Sequence, residues 1–149
     1  MKKMFVMFCL LFLLDGIQAQ DFNSAQKAIA NLIQLSYAEG LQNEGDFQKI
    51  EDGFHPQFVM ISKGSADSLD FLKLERWKEV KKESKAEGKL PRQAANKVTL
   101  SFDFIDISGD VAVAKVKYYE GEELTYLDYI SLYRYESEWK IISKIYQKL

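Results

Sequence analysis

The stretch "KVTLSFDFIDISGDVAVAKVKYYEGEELTYLDYISLYRYESEWKIISKIYQ", Lys97 to Gln147, decides the fold. Its side chains alternate between apolar and polar, and β-branched and aromatic residues dominate. "SGD", "EGE" and "ES" interrupt it. Turns this short join antiparallel neighbours, so the alternation predicts four strands in a meander: 97–107, 110–119, 123–135 and 138–147.

The chain before the meander reads mainly as helix. Phe22, Ala25, Ile29, Leu32, Ile33, Ser36 and Tyr37 recur at helical spacing, predicting a helix over 21–41. Asp21 or Asn23 can cap it, and Gln26 stands three after Asn23 as in a capping box. Asp46 caps a short second helix through Asp52, with Gly53 as its stop. "QFVMIS", 57–62, reads as a strand and "KGSAD" as a turn. A third helix is expected from Asp70, with Phe71, Leu74, Trp77 and Val80 on its apolar face and Gly88 and Pro91 at its end. The dense charge of "KEVKKESKAEGK" fits a solvated helix face carrying i,i+3 and i,i+4 pairs.

Helices first and long antiparallel strands last is an α+β order. Long strands twist and curl, and a curled sheet covered by helices encloses a conical hollow, the expected place for any chemistry. The 149 residues suit one domain with a substantial core, 47% of them being hydrophobic. The start of the chain reads differently. Lys2 and Lys3 precede the apolar run Met4 to Leu14, and "DGIQA" ends in small Ala19. This is the pattern of a secretory signal peptide, so the expectation is a signal over 1–19, a single domain over 20–149, and a secreted or periplasmic location without a stable membrane anchor. Cys9, the one cysteine, falls inside that run behind bulky Phe8. A mature chain therefore has no thiol chemistry and no disulfide, and must be held by packing.

Charge excludes further classes. The whole chain has 20 Lys plus Arg and 22 Asp plus Glu, a net −2. Without Lys2, Lys3 and Asp15 the counts fall to 18 and 21, a net −3. No global basic field is present for nucleic acid. A single histidine rules out a histidine-rich zinc site, and no HExxH, glycine-rich phosphate loop or GxSxG elbow occurs. No metal or cofactor is expected.

Six residues stand out as candidate ligand contacts. On the third meander strand Leu124, Tyr126, Asp128, Ile130 and Leu132 share one face. A carboxylate in so apolar a row must be bonded, paired or protonated. His55, between Phe54 and Pro56 at the end of the second helix, is a candidate partner for Asp128 in an acid–base pair. Tyr37 and Trp77 carry polar tips on inward helical faces, and with Tyr126 they suit a flat ligand. On the last strand strict alternation groups Trp139, Ile141, Ser143 and Ile145, and opposite them Lys140, Ile142, Lys144 and Tyr146. An inward Lys144 would set a cation near Asp128. A one-residue slip in register reverses every such assignment.

Three segments, "YAEGLQNEGDFQKIEDGFHPQFVMIS", "DFIDISGDVAVAKVKYYEG" and "TYLDYISLYRYESEWKIISKIY", resemble the nuclear transport factor 2-like (NTF2-like, SnoaL-like) superfamily, and more narrowly its "putative lumazine-binding" branch. The resemblance covers nearly all of the chain after residue 19. It implies a cone-shaped α+β fold with N-terminal helices packed on a curved antiparallel sheet, often dimeric through that sheet. It implies a small, partly heteroaromatic ligand, with His55, Asp128 and Lys144 matching the pocket pattern. Tyr37 falls where steroid-isomerase-like relatives offer a tyrosine. The superfamily holds isomerases, dehydratases and cyclases as well as binding domains, so three functions stay open. The first is non-catalytic binding; the second is an acid–base enzyme using His55 and Asp128; the third is a dimeric interaction module.

Overall fold

The computed structural model describes residues 22–149; the expected signal segment lies outside them. Helix α1, Ser24–Ile33, begins at the Asn23–Gln26 capping box, with both reciprocal bonds formed. The chain then continues without a break as a π-helix, Gln34–Glu44, ending at Gly45 in the left-handed region. Helix α2, Phe47–Gly53, starts at Asp46, whose carboxylate accepts from the backbone N–H groups of Gln48 and Lys49. It packs against the π-helix at Gly40, where a Cβ would lie 2.8 Å from that of Lys49.

Strand β1 is Phe54–Lys63, β2 Leu69–Lys73 and helix α3 Leu74–Ala86. A 3₁₀ turn, Ala94–Asn96, leads into β3 Val98–Ser108, β4 Val111–Glu120, β5 Glu123–Tyr135 and β6 Glu138–Lys148. All six strands form one curved, open sheet in the order β2-β1-β6-β5-β4-β3. The last four strands form the expected meander, turning at Gly109, Gly121 and Glu136, each with positive φ.

Two expectations need correction. The sheet is mixed, not purely antiparallel, because β1 lies parallel to β6. The third helix begins three residues later than a cap at Asp70 would set it. Leu69–Lys73 instead forms the antiparallel edge strand β2 against β1. Phe71 is consequently 63% exposed, while Leu74 and Trp77 are buried. Pairing with β1 takes up the inward-facing backbone groups of β2, its other edge staying open, and Asp70 never becomes a cap.

The sheet bends where its ladders slip. An extra residue interrupts β3 at Asp103, β5 at Thr125 and β6 at Ile142, and β1 slips more widely between Phe54 and Val59. Pro56, which lacks an N–H, sits inside that lapse. α1 and the π-helix lie on the concave face. Ile29, Ile33, Tyr37 and Leu41 pack there with Ile105, Val116, Ile130, Leu132 and Ile141. Buried Asn43 fastens the π-helix to β3, donating to the Val98 carbonyl and accepting from its N–H.

Candidate ligand site

At the centre of the concave face is Asp128, with no exposed surface. Strand β5 places it there in the inward row with Ile130 and Leu132. One carboxylate oxygen accepts from the Tyr37 hydroxyl at 2.7 Å; the other accepts from the Lys144 ammonium at 2.9 Å. Lys144 also donates to the Tyr37 oxygen at 2.9 Å, closing a triangle of three side chains from three elements.

Lys144 faces inward because of the bulge in β6. Ser131 pairs with Ser143 and Leu132 with Ile141, which leaves Ile142 over. Ile141 and Lys144, three apart, therefore share the buried face. The ammonium lies 5.1 Å from the ring centre of Tyr37, 5.9 Å from that of Trp77 and 4.8 Å from that of Tyr146. Burial pushes its pKa below the usual lysine range, and Asp128 pulls it back up. The carboxylate contact and the ring faces favour the charged form. Burial, reinforced by Asp128, holds the Tyr37 phenol well above its usual range, so it stays protonated as a donor.

Above this triangle opens a pocket of about 250 Å³, lined by Tyr37, Gln42, Met60, Trp77, Arg92, Tyr118, Glu120, Tyr126, Lys144 and Tyr146. An ammonium has three donors. Lys144 spends two on Tyr37 and Asp128, which leaves one for whatever occupies the pocket. Tyr118 and Tyr126 meet edge to face at 5.4 Å, as do Tyr126 and Tyr146 at 5.5 Å, forming one aromatic wall. At the rim Arg92 pairs with Glu120 at 3.3 Å and donates to the backbone carbonyl of Gln42.

Of the six residues singled out in the sequence, Tyr37, Trp77, Tyr126 and Lys144 line this pocket and Asp128 lies beneath them. His55 does not join them. Its ring stacks on Tyr135 at 5.2 Å, and its Nδ1 accepts from the Gln57 N–H. Asp128 is occupied by Tyr37 and Lys144, so the expected His55–Asp128 pair is not formed. Tyr135 is seven residues from Asp128 along β5, roughly 23 Å at the rise of a strand.

Gln42, Met60, Arg92, Tyr118, Glu120 and Tyr146 also line the pocket and were not among the six candidates. Tyr118 was within reach: Ala112, Ala114, Val116 and Tyr118 alternate with charged Lys115 and Lys117, and they are the buried row. Gln42 was not, because it is five residues from Tyr37. On an α-helix that spacing points elsewhere, whereas bonds of a π-helix run i to i+5 and bring such residues onto one side. Among the described residues no group of three or more His, Cys, Asp or Glu could hold a metal ion.

Comparison with known structures defines the class. The fold matches an NTF2-like protein of unknown function from Silicibacter pomeroyi DSS-3 with a TM-score of 0.65 at 15% identity, covering 83% of this chain and 94% of that one. Another, from Shewanella baltica OS155, matches with a TM-score of 0.64 at 20% identity over 87% and 98% of the two chains. A third, from Methylobacillus flagellatus KT, gives 0.61 at 19% identity over 87% and 96%. These likenesses establish an NTF2-like fold. Residues 24–147 match the family described as "Putative lumazine-binding", and the chain belongs to that family. No curated protein matches it.

Proposed function

We propose that this domain binds a small, flat, partly aromatic molecule in the pocket above Lys144, without chemical turnover. The carrying observation is the Lys144 ammonium, fixed by Asp128 and Tyr37, ringed by aromatic faces, and open on one side to the pocket. Such a floor offers one strong donor to a carbonyl or ring oxygen. The walls of Trp77, Tyr118 and Tyr126 offer apolar faces to a ring system. A volume of about 250 Å³ lies just under the usual range for ligand pockets, which favours one or two fused rings. Lumazine, the flat bicyclic dione in the family's description, has that size and that pattern of oxygen acceptors.

The acid–base reading loses its base once His55 lies apart from Asp128, which is why binding is preferred. We place the domain outside the cytoplasm, on the strength of the signal-like residues 1–19, and read it as a dimer through the outer sheet face. That face carries exposed Tyr129 beside Ile145 and exposed Tyr133 beside Val111.

Calorimetry with lumazine and a panel of one- and two-ring heterocycles tests the proposal. Binding to wild type should weaken about tenfold or more in Tyr126→Ala, which removes a half-buried wall without touching the buried triangle. A panel that yields no heat with wild type, or equal affinity in the variant, would refute it.

A further inference from the structure

Two cations converge beside this pocket with too little negative charge to balance them. Lys81, on α3, donates from its ammonium to the Gln42 side-chain oxygen at 2.8 Å. Arg92 donates to the backbone oxygen of the same residue at 3.1 Å. Arg92 is paired with Glu120, and Lys144 with Asp128. Among the described residues Lys81 has no carboxylate partner; its ammonium bonds a neutral amide. The local sum of these five groups is one positive charge, in a chain whose overall charge is −2.

The donors are in surplus too. Of three ammonium N–H groups Lys81 uses one, and of five guanidinium N–H groups Arg92 uses three, on Gln42, Asn96 and Glu120. A half-buried ammonium beside a guanidinium is costly unless something negative arrives. Burial first, and Arg92 second, push the Lys81 pKa down to about 8, with Glu120 opposing. Gln42 and Arg92 line the pocket, so the surplus lies at its edge, across from the aromatic wall.

We infer that the ligand is an anion: a flat ring system carrying a carboxylate, or an equally compact acidic group, seated between Lys81 and Arg92. This deepens the binding reading and rests on it. The ring lies against Trp77 and Tyr126 while the acidic group reaches the rim. A carboxylate there accepts bonds from both cations, and charge-assisted bonds of this kind are the strong ones.

The test compares 2-naphthoate with 2-naphthamide, which share ring and shape but not charge. Binding is followed by calorimetry and by the Trp77 indole N–H signal, in wild type, Lys81→Gln and Lys81→Arg. The expected result is about tenfold or tighter binding of the acid to wild type, retained in Lys81→Arg and lost in Lys81→Gln. Equal affinity for acid and amide in wild type overturns the anion seat while leaving the ring pocket standing. A preference that survives in Lys81→Gln overturns the assignment to this cation. Failure of both compounds to move Trp77 overturns the pocket reading and this inference with it.

Discussion

Asp128 shows how much one residue can carry. A carboxylate with no exposed surface requires a counter-charge, and Lys144 supplies it while Tyr37 fills the second oxygen. Removing one member strands the other. Lys144→Met leaves a buried carboxylate without its counter-charge and should cost about 3–5 kcal/mol in urea unfolding. Adding Asp128→Asn should recover a large part of that loss, and a double-mutant cycle in which the two changes simply add would show that the pair is not coupled. Lys81 gives a second check, through pH. Its pKa is lowered to about 8 in the folded chain from an ordinary 10.5, so between those values the unfolded chain holds more protons at this site. Stability therefore rises with pH across that window on account of Lys81. Compared with wild type, Lys81→Met should fare best below pH 8, and its relative standing should decline from pH 8 to 10.5. The trend is the readout, because methionine also removes the bond to Gln42. A gap between the two proteins that stays constant with pH would contradict the placement of Lys81. The sequence already marked Asp128, since one carboxylate in an apolar row demands a partner. It offered two partners, His55 and Lys144, because a lysine and a histidine are equally plausible until the backbone says which of them is near; Lys144 is the one that reaches it.

Two irregular elements explain what periodicity could not reveal. Strict alternation along β6 sets Ile141 and Lys144 on opposite faces; the extra Ile142 puts them on the same one. Spacing of 3.6 residues carries the first helix correctly to Ile33 and Tyr37, but the π-helical turn then brings Gln42 around to Tyr37's side. In both places one residue more or less than the regular period turns a side chain into the pocket. Nothing in the composition of either segment announces it. The regular elements were legible for the opposite reason: Asn23, Gln26 and Asp46 act through bonds to N–H groups only a few residues away. The packing of the π-helix is testable at Gly40. Alanine there gains helix propensity, yet its Cβ would sit 2.8 Å from the Lys49 Cβ, which is anchored on the α2 backbone. Gly40→Ala should therefore be destabilising by about 1–3 kcal/mol, measured by thermal or urea unfolding. An unchanged or raised stability would mean that α2 can move away freely.

The molecule as a whole is a curved sheet wrapped around a helical spine, with its polar chemistry inside and apolar side chains left on the convex face. The α+β order and the meander were readable from 97–147 alone, because hairpins are local. The parallel contact between β1 and β6 was not, since it joins residues some eighty positions apart through backbone bonds that any side chain permits. On the convex face Tyr129, Tyr133 and Ile145 form the exposed patch that the dimer reading uses. Light scattering after size exclusion should give twice the chain mass at tens of micromolar, and Ile145→Lys with Tyr133→Lys should give the single mass with the fold intact. A monomer in wild type at high concentration would end that reading without affecting the pocket.

The pocket itself is tested most directly through tryptophan. The chain has two, and they are well placed for the purpose: Trp77 lines the pocket, whereas Trp139 lies under the Arg134 guanidinium on the far part of β6. Their indole N–H signals should be followed as lumazine and other flat one- and two-ring heterocycles are added. At least one compound should shift the Trp77 signal saturably while Trp139 stays still. No movement of Trp77 across the panel at millimolar concentration, or equal movement of both signals, would contradict a ligand seated above Lys144.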